Sequence, residues 1–178
     1  MQLDLGAGTC TEEGWCRLDG VWQSTLHVQA RGAALPFRAN SLEMVRLNGV
    51  FEHFTYAEAQ VVLREIARVL VPSGWIDLNA PDLVRFAELL LAVVCEHRWP
   101  REWEPRVGGL HCTNSAALNY VLSGFYGGQD RPGMVHQSGW TEAMLTSELA
   151  QAGFVKIQCY SYDHNEPQTH LSFRAQKP

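Results

Sequence analysis

The residues best suited to chemistry stand at the start of the chain, in the run Leu3-Asp4-Leu5-Gly6-Ala7-Gly8. Residues 3–5 read as a short apolar strand, and residues 6–8 read as a turn with almost no side chain. Because glycine carries no Cβ, such a turn lets the backbone approach a bound ligand closely. A dinucleotide fingerprint would carry a third glycine at position 11, where this chain has Thr11. The run therefore predicts a ligand-binding turn that follows an acid, and the dinucleotide motif is incomplete.

Length and charge favour a single globular domain, expected to span residues 1–178, which is long enough to bury a sizeable core. The formal charge of −5 disfavours a generic nucleic-acid surface, because such surfaces are usually basic. The apolar run 83–95 contains Arg85 and Glu88 and is too short to span a bilayer. Five scattered cysteines without a C-x-x-C spacing favour reduced thiols. These features predict a cytoplasmic protein without a membrane partner.

Apolar strands alternate with amphipathic helices along the chain, a pattern that predicts a mostly parallel sheet. The expected fold is an α/β, Rossmann-like three-layer sandwich with seven strands, the last of them antiparallel. Little sequence separates Gly8 from the next strand at Trp15, so the first crossover should be a loop or a single helical turn. Strands are expected at 3–5, 15–18, 25–28, 42–47, 75–80, 154–160 and 170–175, and helices at 56–71, 83–96, 115–123 and 141–152.

Polar residues and turns recur where these strands end. In a parallel sheet, ligands bind at the carboxyl ends of the strands, near the point where the strand order reverses. The features expected along that edge are the turn after Gly6, Asp19, the loop at Leu35, Asn48-Gly49 and Asp82. Their convergence predicts a binding site at this edge.

Several motifs also follow one another in a characteristic order over residues 2–83. They are Leu3-Asp4-Leu5-Gly6-Ala7-Gly8, Gly14-Trp15-Cys16-Arg17-Leu18-Asp19, Leu35-Pro36-Phe37, Asn40-Ser41-Leu42-Glu43-Met44-Val45, Glu52-His53-Phe54, Leu63-Arg64-Glu65 and Arg68-Val69-Leu70-Val71-Pro72-Ser73-Gly74. This order resembles the small class I methyltransferases of the methyltransferase-11 type, which use S-adenosylmethionine (SAM). A looser resemblance resumes at Tyr126-Gly127-Gly128-Gln129, His136 and Ala152-Gly153-Phe154.

The resemblance implies roles at the methionine end of the cofactor. Gly6, Ala7 and Gly8 would let the backbone approach the methionine part of SAM. Asp4 would contact the methionine ammonium group, directly or through water. The alternative reading is that Asp4 accepts hydrogen bonds from the amides of the glycine turn.

At the other end of SAM, the resemblance implies that Asp19 accepts both ribose hydroxyls, since a carboxylate suits a vicinal diol. Leu35 would contact adenine through its side chain and its backbone amide. Asn48 and Gly49 would line the floor of the cofactor cleft. Arg31 stands where the family usually has an acid for the adenine amino group, and arginine offers no acceptor.

The irregular region 98–139 is expected to be an inserted lid or acceptor-binding segment. Two histidines in it, His111 and His136, are candidate general bases, because the imidazole pKa lies near working pH. A base is not obligatory, since alignment and water exclusion can supply much of the rate of a displacement. The candidate acceptor contacts are Asp82, Tyr126 and His53. The alternative interpretation is structural: Asp82 would cap the following helix, and His53 would make a local hydrogen bond.

No metal is predicted, since the spacings among His111-Cys112, His136 and Cys159 are not those of a ligand set. One charge contact is predicted, between Arg46 and Asp77, which lie in strands expected to be neighbours. The aromatic residues between Trp99 and Tyr126 would suit a contact in a homodimer.

The expected activity is methyl transfer from SAM to an oxygen or nitrogen atom of a small-molecule acceptor, leaving S-adenosylhomocysteine. One alternative is a methyltransferase-like protein that binds SAM or a partner without turnover, which Arg31 and the short first crossover favour. A second alternative, an NAD-dependent oxidoreductase, is disfavoured by Thr11.

Overall fold

The computed structural model describes residues 1–95, 114–129, 133–160 and 169–178. Its strands are β1 Gln2–Leu5, β2 Trp15–Asp19, β3 Val28–Gln29, β4 Leu42–Asn48, β5 Leu70–Pro81, β6 Val155–Tyr160 and β7 His170–Gln176. Its α-helices are α1 Tyr56–Val69, α2 Leu83–Val94, α3 Asn114–Tyr126 and α4 Glu142–Gln151, and a short 3-10 helix spans Phe51–His53.

The strands form one sheet in the order β3-β2-β1-β4-β5-β7-β6. The first five pair in parallel, whereas β7 runs antiparallel to both of its neighbours. The predicted α/β class and the mostly parallel sheet with an antiparallel last strand are confirmed. The strand order reverses between β1 and β4, which makes their carboxyl ends the expected site for a ligand.

The connections on the β1 side of the sheet are short. Residues 6–14, between β1 and β2, form turns without a helix, as the sequence predicted. No helix lies between β2 and β4 either, among residues that are all described. The third strand is reduced to Val28–Gln29, shorter and later than the expected 25–28.

The helix α1 shows how local sequence sets an element. Thr55 and Glu58 form a capping box at its start, in which each side chain accepts a hydrogen bond from the backbone amide of the other residue. The helix ends at Val69, two residues before the predicted end, because Leu70 already pairs with Leu42 in the sheet. The strand β5 begins at Leu70, five residues before the predicted start at position 75, and it includes Pro72-Ser73-Gly74, where the register shifts against β4.

The two faces of the sheet differ in chemistry. One face is apolar and packs against α1 and α4 in the main core, which includes Leu3, Leu5, Leu18, Val45, Leu47, Ile76, Leu78, Val62, Leu63, Ile66, Leu145 and Leu149. Helices α2 and α3 build a smaller core with each other, centred on Phe86 and Val121.

No helix in the described part of the chain is long and apolar enough to cross a membrane.

The other face carries a row of alternating charges. Arg17, Asp4, Arg46, Asp77 and Arg174 lie opposite one another on five neighbouring strands. The predicted Arg46–Asp77 contact is wrong, although their strands are neighbours in that register. Arg46 instead binds Asp4 at 2.9 Å, and Asp77 binds Arg174 at 2.7 Å. Arg46 and Asp77 each lie between two opposite charges in this row, and the sequence did not show that β7 would bring Arg174 beside Asp77.

Arg46 makes further contacts besides the one to Asp4. Its second guanidinium nitrogen binds Glu12 at 2.7 Å, and the guanidinium stacks 4.1 Å from the centre of the Trp15 ring. These contacts fix the loop between β1 and β2 to the sheet, because Glu12 lies in that loop. Asp4 is only 4% exposed, so its charge depends on Arg46 for compensation.

We expect Arg46→Gln to lower the free energy of unfolding by about 2 kcal/mol, because it leaves the Asp4 carboxylate buried without its partner. The value is below that of a fully buried pair, since Arg46 itself is partly exposed. Urea denaturation of the variant and the wild type measures the effect. Arg64→Gln, on the exposed side of α1, is the matched control. Equal losses in the two variants would contradict the role of the Asp4–Arg46 pair.

Candidate active site

The glycine turn after β1 is held against the end of β2. The amides of Gly6 and Ala7 both donate to the Leu18 carbonyl, at 2.7 and 3.1 Å. Gly6 has a φ of +75°, and a Cβ there would overlap a Val50 methyl carbon. Gly8 has a φ of +52°, and a Cβ there would meet nothing within 4 Å. The missing side chain of Gly6 thus makes room for Val50, and the open space lies at Gly8.

Asp19, at the carboxyl end of β2, borders this open space and binds the backbone around it. One carboxylate oxygen accepts the Gly8 amide at 3.0 Å, and the other accepts the Val21 amide at 2.9 Å. Thr25 Oγ1 donates to the Gly8 carbonyl at 3.1 Å, so both backbone groups of Gly8 are fixed. A carboxylate oxygen has more than one acceptor site, so Asp19 keeps capacity for further donors. The structure therefore brings Asp19 and the glycine turn together, as the sequence predicted.

Two other predicted cofactor residues have partners inside the fold. Asp4 does not bond the amides of the glycine turn, because its carboxylate faces Arg46. Leu35 is 4% exposed and its side chain belongs to the main core. Its amide donates to Glu65 Oε1 at 2.9 Å, so adenine could use this amide only in competition with Glu65. Arg31 is exposed.

The end of β4 lies beside the glycine turn. Asn48 is exposed, and Gly49 takes a left-handed conformation with a φ of +64°. The chain then enters the short 3-10 helix that contains Glu52 and His53. A Cβ on Gly49 would lie 3.7 Å from Glu52 Oε1, so the Glu52 carboxylate stands directly behind this turn.

Residues 135–140, here called the strap, run across the start of this 3-10 helix. The amides of Gln137 and Ser138 both donate to the Glu52 carbonyl, at 2.8 and 3.2 Å. At the far end, the Tyr56 hydroxyl donates to the Gly139 carbonyl at 3.0 Å, and Trp140 packs on Phe51 with ring centres 4.9 Å apart. The strap therefore holds a fixed place at the carboxyl end of β4.

The strap places His136 beside Glu52 and His53. His136 Nε2 lies 3.9 Å from Glu52 Oε1, and the two imidazole rings are 5.0 Å apart between centroids. Glu52 is 4% exposed, and burial raises its pKa to about 7. Burial lowers the pKa of His136. Because both shifts favour neutral forms, this cluster is polar but poorly hydrated.

Sequence reasoning did not identify Glu52 as a site residue, although it quoted Glu52-His53-Phe54 as a motif. The available signal was an acid set between Phe51 and His53 directly after a predicted strand. Nothing in the sequence joins that motif to His136, which lies more than 80 residues further along the chain. The hydrogen bonds of the strap make this connection.

The side chains of the remaining predicted residues make no contribution to the cluster, or the residues lie outside the part of the chain that the structure describes. The Asp82 side chain accepts the Val84 amide at 3.0 Å and caps α2, which agrees with the alternative interpretation of Asp82 as a helix cap. Tyr126, at the end of α3, has a side chain that is largely exposed, and its carbonyl accepts the His136 amide at 3.2 Å. Cys159 is exposed on β6. His111, Cys112, Trp99 and Trp103 lie outside the described residues.

Comparison with known proteins agrees with this arrangement. A sequence model described as a methyltransferase domain matches residues 10–77. A search of curated proteins by sequence finds no match.

Solved structures of methyltransferases share the fold. A SAM-dependent methyltransferase from Archaeoglobus fulgidus superposes with a TM-score of 0.62 at 14% identity, over 99% of this chain and 85% of that one. A 1,6-didemethyltoxoflavin N1-methyltransferase from Burkholderia thailandensis, with bound S-adenosylhomocysteine, gives 0.58 at 15% identity, over 99% and 70%. The CurJ carbon methyltransferase gives 0.59 at 12% identity, and this chain spans 99% of its own length but 48% of that protein.

The methyltransferase model thus matches residues 10–77, and solved SAM-dependent methyltransferases share the fold of this chain. The incomplete dinucleotide motif at Thr11 is consistent with this class. The open cradle at Gly8 and the half-buried Asp19 carboxylate fit such a cofactor, because they offer close backbone approach beside an acceptor for hydroxyl groups.

Alanine substitutions at Gly6 and Gly8 should distinguish a glycine that the packing requires from one that ligand binding requires. Gly6→Ala should lower the free energy of unfolding by about 3 kcal/mol, because a strained φ adds to a clash with Val50. Gly8→Ala should cost only about 1 kcal/mol, because its surroundings are open, but it should weaken S-adenosylhomocysteine binding. Thermal unfolding and calorimetric titration measure the two effects. A Gly6 variant as stable as the Gly8 variant would contradict this assignment.

Asp19→Asn should weaken S-adenosylhomocysteine binding by about tenfold or more, because hydrogen bonds to a charged acceptor are lost. The variant keeps the side-chain shape and one acceptor oxygen, so the fold should persist. Isothermal calorimetry provides the dissociation constants. Glu13→Gln is the matched control, since Glu13 is an exposed acid in the neighbouring loop. Unchanged affinity in the Asp19 variant would argue against this residue as a cofactor contact.

Proposed function

We propose that this chain is a SAM-dependent methyltransferase that acts on an oxygen or nitrogen atom of a small-molecule acceptor, which binds against Glu52, His53 and His136. The observation that carries the proposal is the position of Glu52 Oε1, which lies 3.7 Å from the place that a Cβ on Gly49 would occupy. Polar side chains thus start directly behind the turn that is expected to line the cofactor cleft. A heteroatom that carries a hydrogen can bond to these groups, whereas a carbon acceptor gains nothing from them.

SAM, when bound, supplies an electrophilic methyl group on a sulfonium sulfur. The residues of this chain position the cofactor, since Gly8 leaves space for the methionine part and Asp19 accepts the ribose hydroxyls. Gly6 and Ala7 hold the glycine turn against β2 through the Leu18 carbonyl, and Asp4 binds Arg46, which in turn binds Glu12 in the same loop. Alignment for an in-line displacement can supply a large part of the rate.

The acceptor side uses the strap. Glu52 and His136 are largely shielded from water, so an acceptor hydrogen bond to them is stronger than one in bulk solvent. His136 Nε2 is the atom in the described region best placed to take the proton that the acceptor loses. Residues 98–139 would then serve as the acceptor segment, with the strap as its described inner end.

A second candidate is a protein that binds SAM without turnover. The hydrogen bond between the Leu35 amide and Glu65 favours it, since that bond occupies a group expected to hold adenine. The two candidates differ in one measurable step, which is methyl transfer after binding.

Methyl-labelled SAM offered with phenols, hydroxy acids, amines and thiols should yield labelled product and S-adenosylhomocysteine. His136→Ala should lower kcat/KM at least tenfold, because an acceptor hydrogen bond in a dry site is lost, by about 1.4 kcal/mol or more. Its affinity for S-adenosylhomocysteine should not change. Gln137→Ala is the control, because this exposed neighbour holds the strap through its backbone.

Binding without transfer to any acceptor would favour the second candidate. Transfer to carbon alone, or an active His136→Ala variant, would contradict the proposed acceptor site. A chain that binds neither SAM nor S-adenosylhomocysteine would contradict both candidates.

A further inference from the structure

The cluster behind Gly49 has the composition of a metal site. Glu52, His53 and His136 each offer one ligand atom, and these atoms all lie within 4.8 Å of one another. The three residues come from two segments, the 3-10 helix and the strap. Two imidazoles and one carboxylate are donors that divalent transition metals commonly use.

Hydrogen bonds orient both imidazoles for this role. His53 Nδ1 lies 3.1 Å from the Val135 carbonyl, and His136 Nδ1 lies 3.0 Å from the Gly124 carbonyl. A carbonyl only accepts, so each Nδ1 carries the hydrogen and each Nε2 keeps a lone pair. Histidines that bind a metal through one ring nitrogen typically donate a hydrogen bond from the N–H of the other ring nitrogen to a backbone carbonyl or a carboxylate.

Glu52 provides an independent observation. Its Oε2 atom is buried and has no hydrogen-bond partner among the described residues. Its Oε1 atom lies 3.9 Å from His136 Nε2, too far for a hydrogen bond. A carboxylate buried in this way costs free energy unless a cation or a donor compensates it.

We propose that Glu52, His53 and His136 bind one divalent transition-metal ion of the zinc type. Ligand atoms around a tetrahedral ion at about 2.1 Å lie about 3.4 Å apart, so small side-chain rotations close the present spacing. Three protein ligands leave a coordination position open, as in catalytic sites. Magnesium and calcium fit less well, because they prefer sites made only of oxygen ligands.

The open position gives the ion a role in methyl transfer, and this part rests on the proposed function. With the ion bound, His136 Nε2 is a ligand and no longer the base, so a coordinated acceptor hydroxyl gives its proton to solvent water. This loss is easier than for a free hydroxyl, since the cation stabilises the resulting anion. The favoured acceptor class is therefore an alcohol, phenol or hydroxy acid whose oxygen reaches the ion. Binding of the ion itself does not depend on turnover.

The test uses the full chain, stripped of metal with a chelator. Calorimetric titration with Zn²⁺ should show one ion per chain, and Co²⁺ should produce visible absorption bands of nitrogen and oxygen ligation. Glu52→Gln, His53→Ala and His136→Ala should each weaken Zn²⁺ binding at least tenfold and abolish the rise in melting temperature that Zn²⁺ causes. His27→Ala and Gln137→Ala should match the wild type, since both residues lie outside the cluster.

Binding of S-adenosylhomocysteine serves as the folding control for every variant. Should the buried Glu52→Gln variant not fold, the half-buried His53 makes His53→Ala the deciding variant. No stoichiometric binding to the wild type, or equal Zn²⁺ affinity in the wild type and His53→Ala, would overturn the proposal. An enzyme that binds Zn²⁺ at this cluster but transfers no methyl group would retain the metal site and refute the proposed function instead.

Discussion

The candidate active site depends on one backbone interaction, in which the Glu52 carbonyl accepts the amides of Gln137 and Ser138. This pair of hydrogen bonds joins the segment after β4 to the strap, two parts of the chain that are far apart in sequence. Together with the hydrogen bonds from His53 to the Val135 carbonyl and from His136 to the Gly124 carbonyl, it places His136 beside Glu52 and His53. The rings of Phe51, Tyr56 and Trp140 shield the junction and strengthen it, because hydrogen bonds gain strength where water is excluded.

The sequence was sufficient for the fold wherever local signals agreed. The glycine turn, the amphipathic α1 and the acid at the end of β2 each have a local cause, and all three appear as expected. The errors arose where tertiary partners decided the outcome. Pro72-Ser73-Gly74 is locally a helix stop, yet Leu70 pairs with Leu42 and draws the whole segment into β5. Arg46 and Asp77 were correctly assigned to neighbouring strands, but each had a second opposite charge available.

The candidate site was harder to derive from sequence than the fold. Asp19 could be found because it follows a strand directly, whereas Glu52 gains its importance from burial, which sequence order does not reveal. Leu35 shows the converse case, since its motif suggests a cofactor contact but its amide binds Glu65. The two ends of the predicted cofactor cleft thus differ: Gly8 and Asp19 leave open space and acceptor capacity, whereas the Leu35 amide is already bound to Glu65.

The charged row across β2, β1, β4, β5 and β7 has a consequence for assembly of the sheet. Neighbouring residues on a strand point to opposite faces, so a slip of one position would exchange them. Such a slip of β4 would place Arg46 among the core leucines and Val45 or Leu47 in the charged layer. The alternating charges therefore help to define the register of β4, because the shifted pairing would bury a guanidinium among apolar side chains.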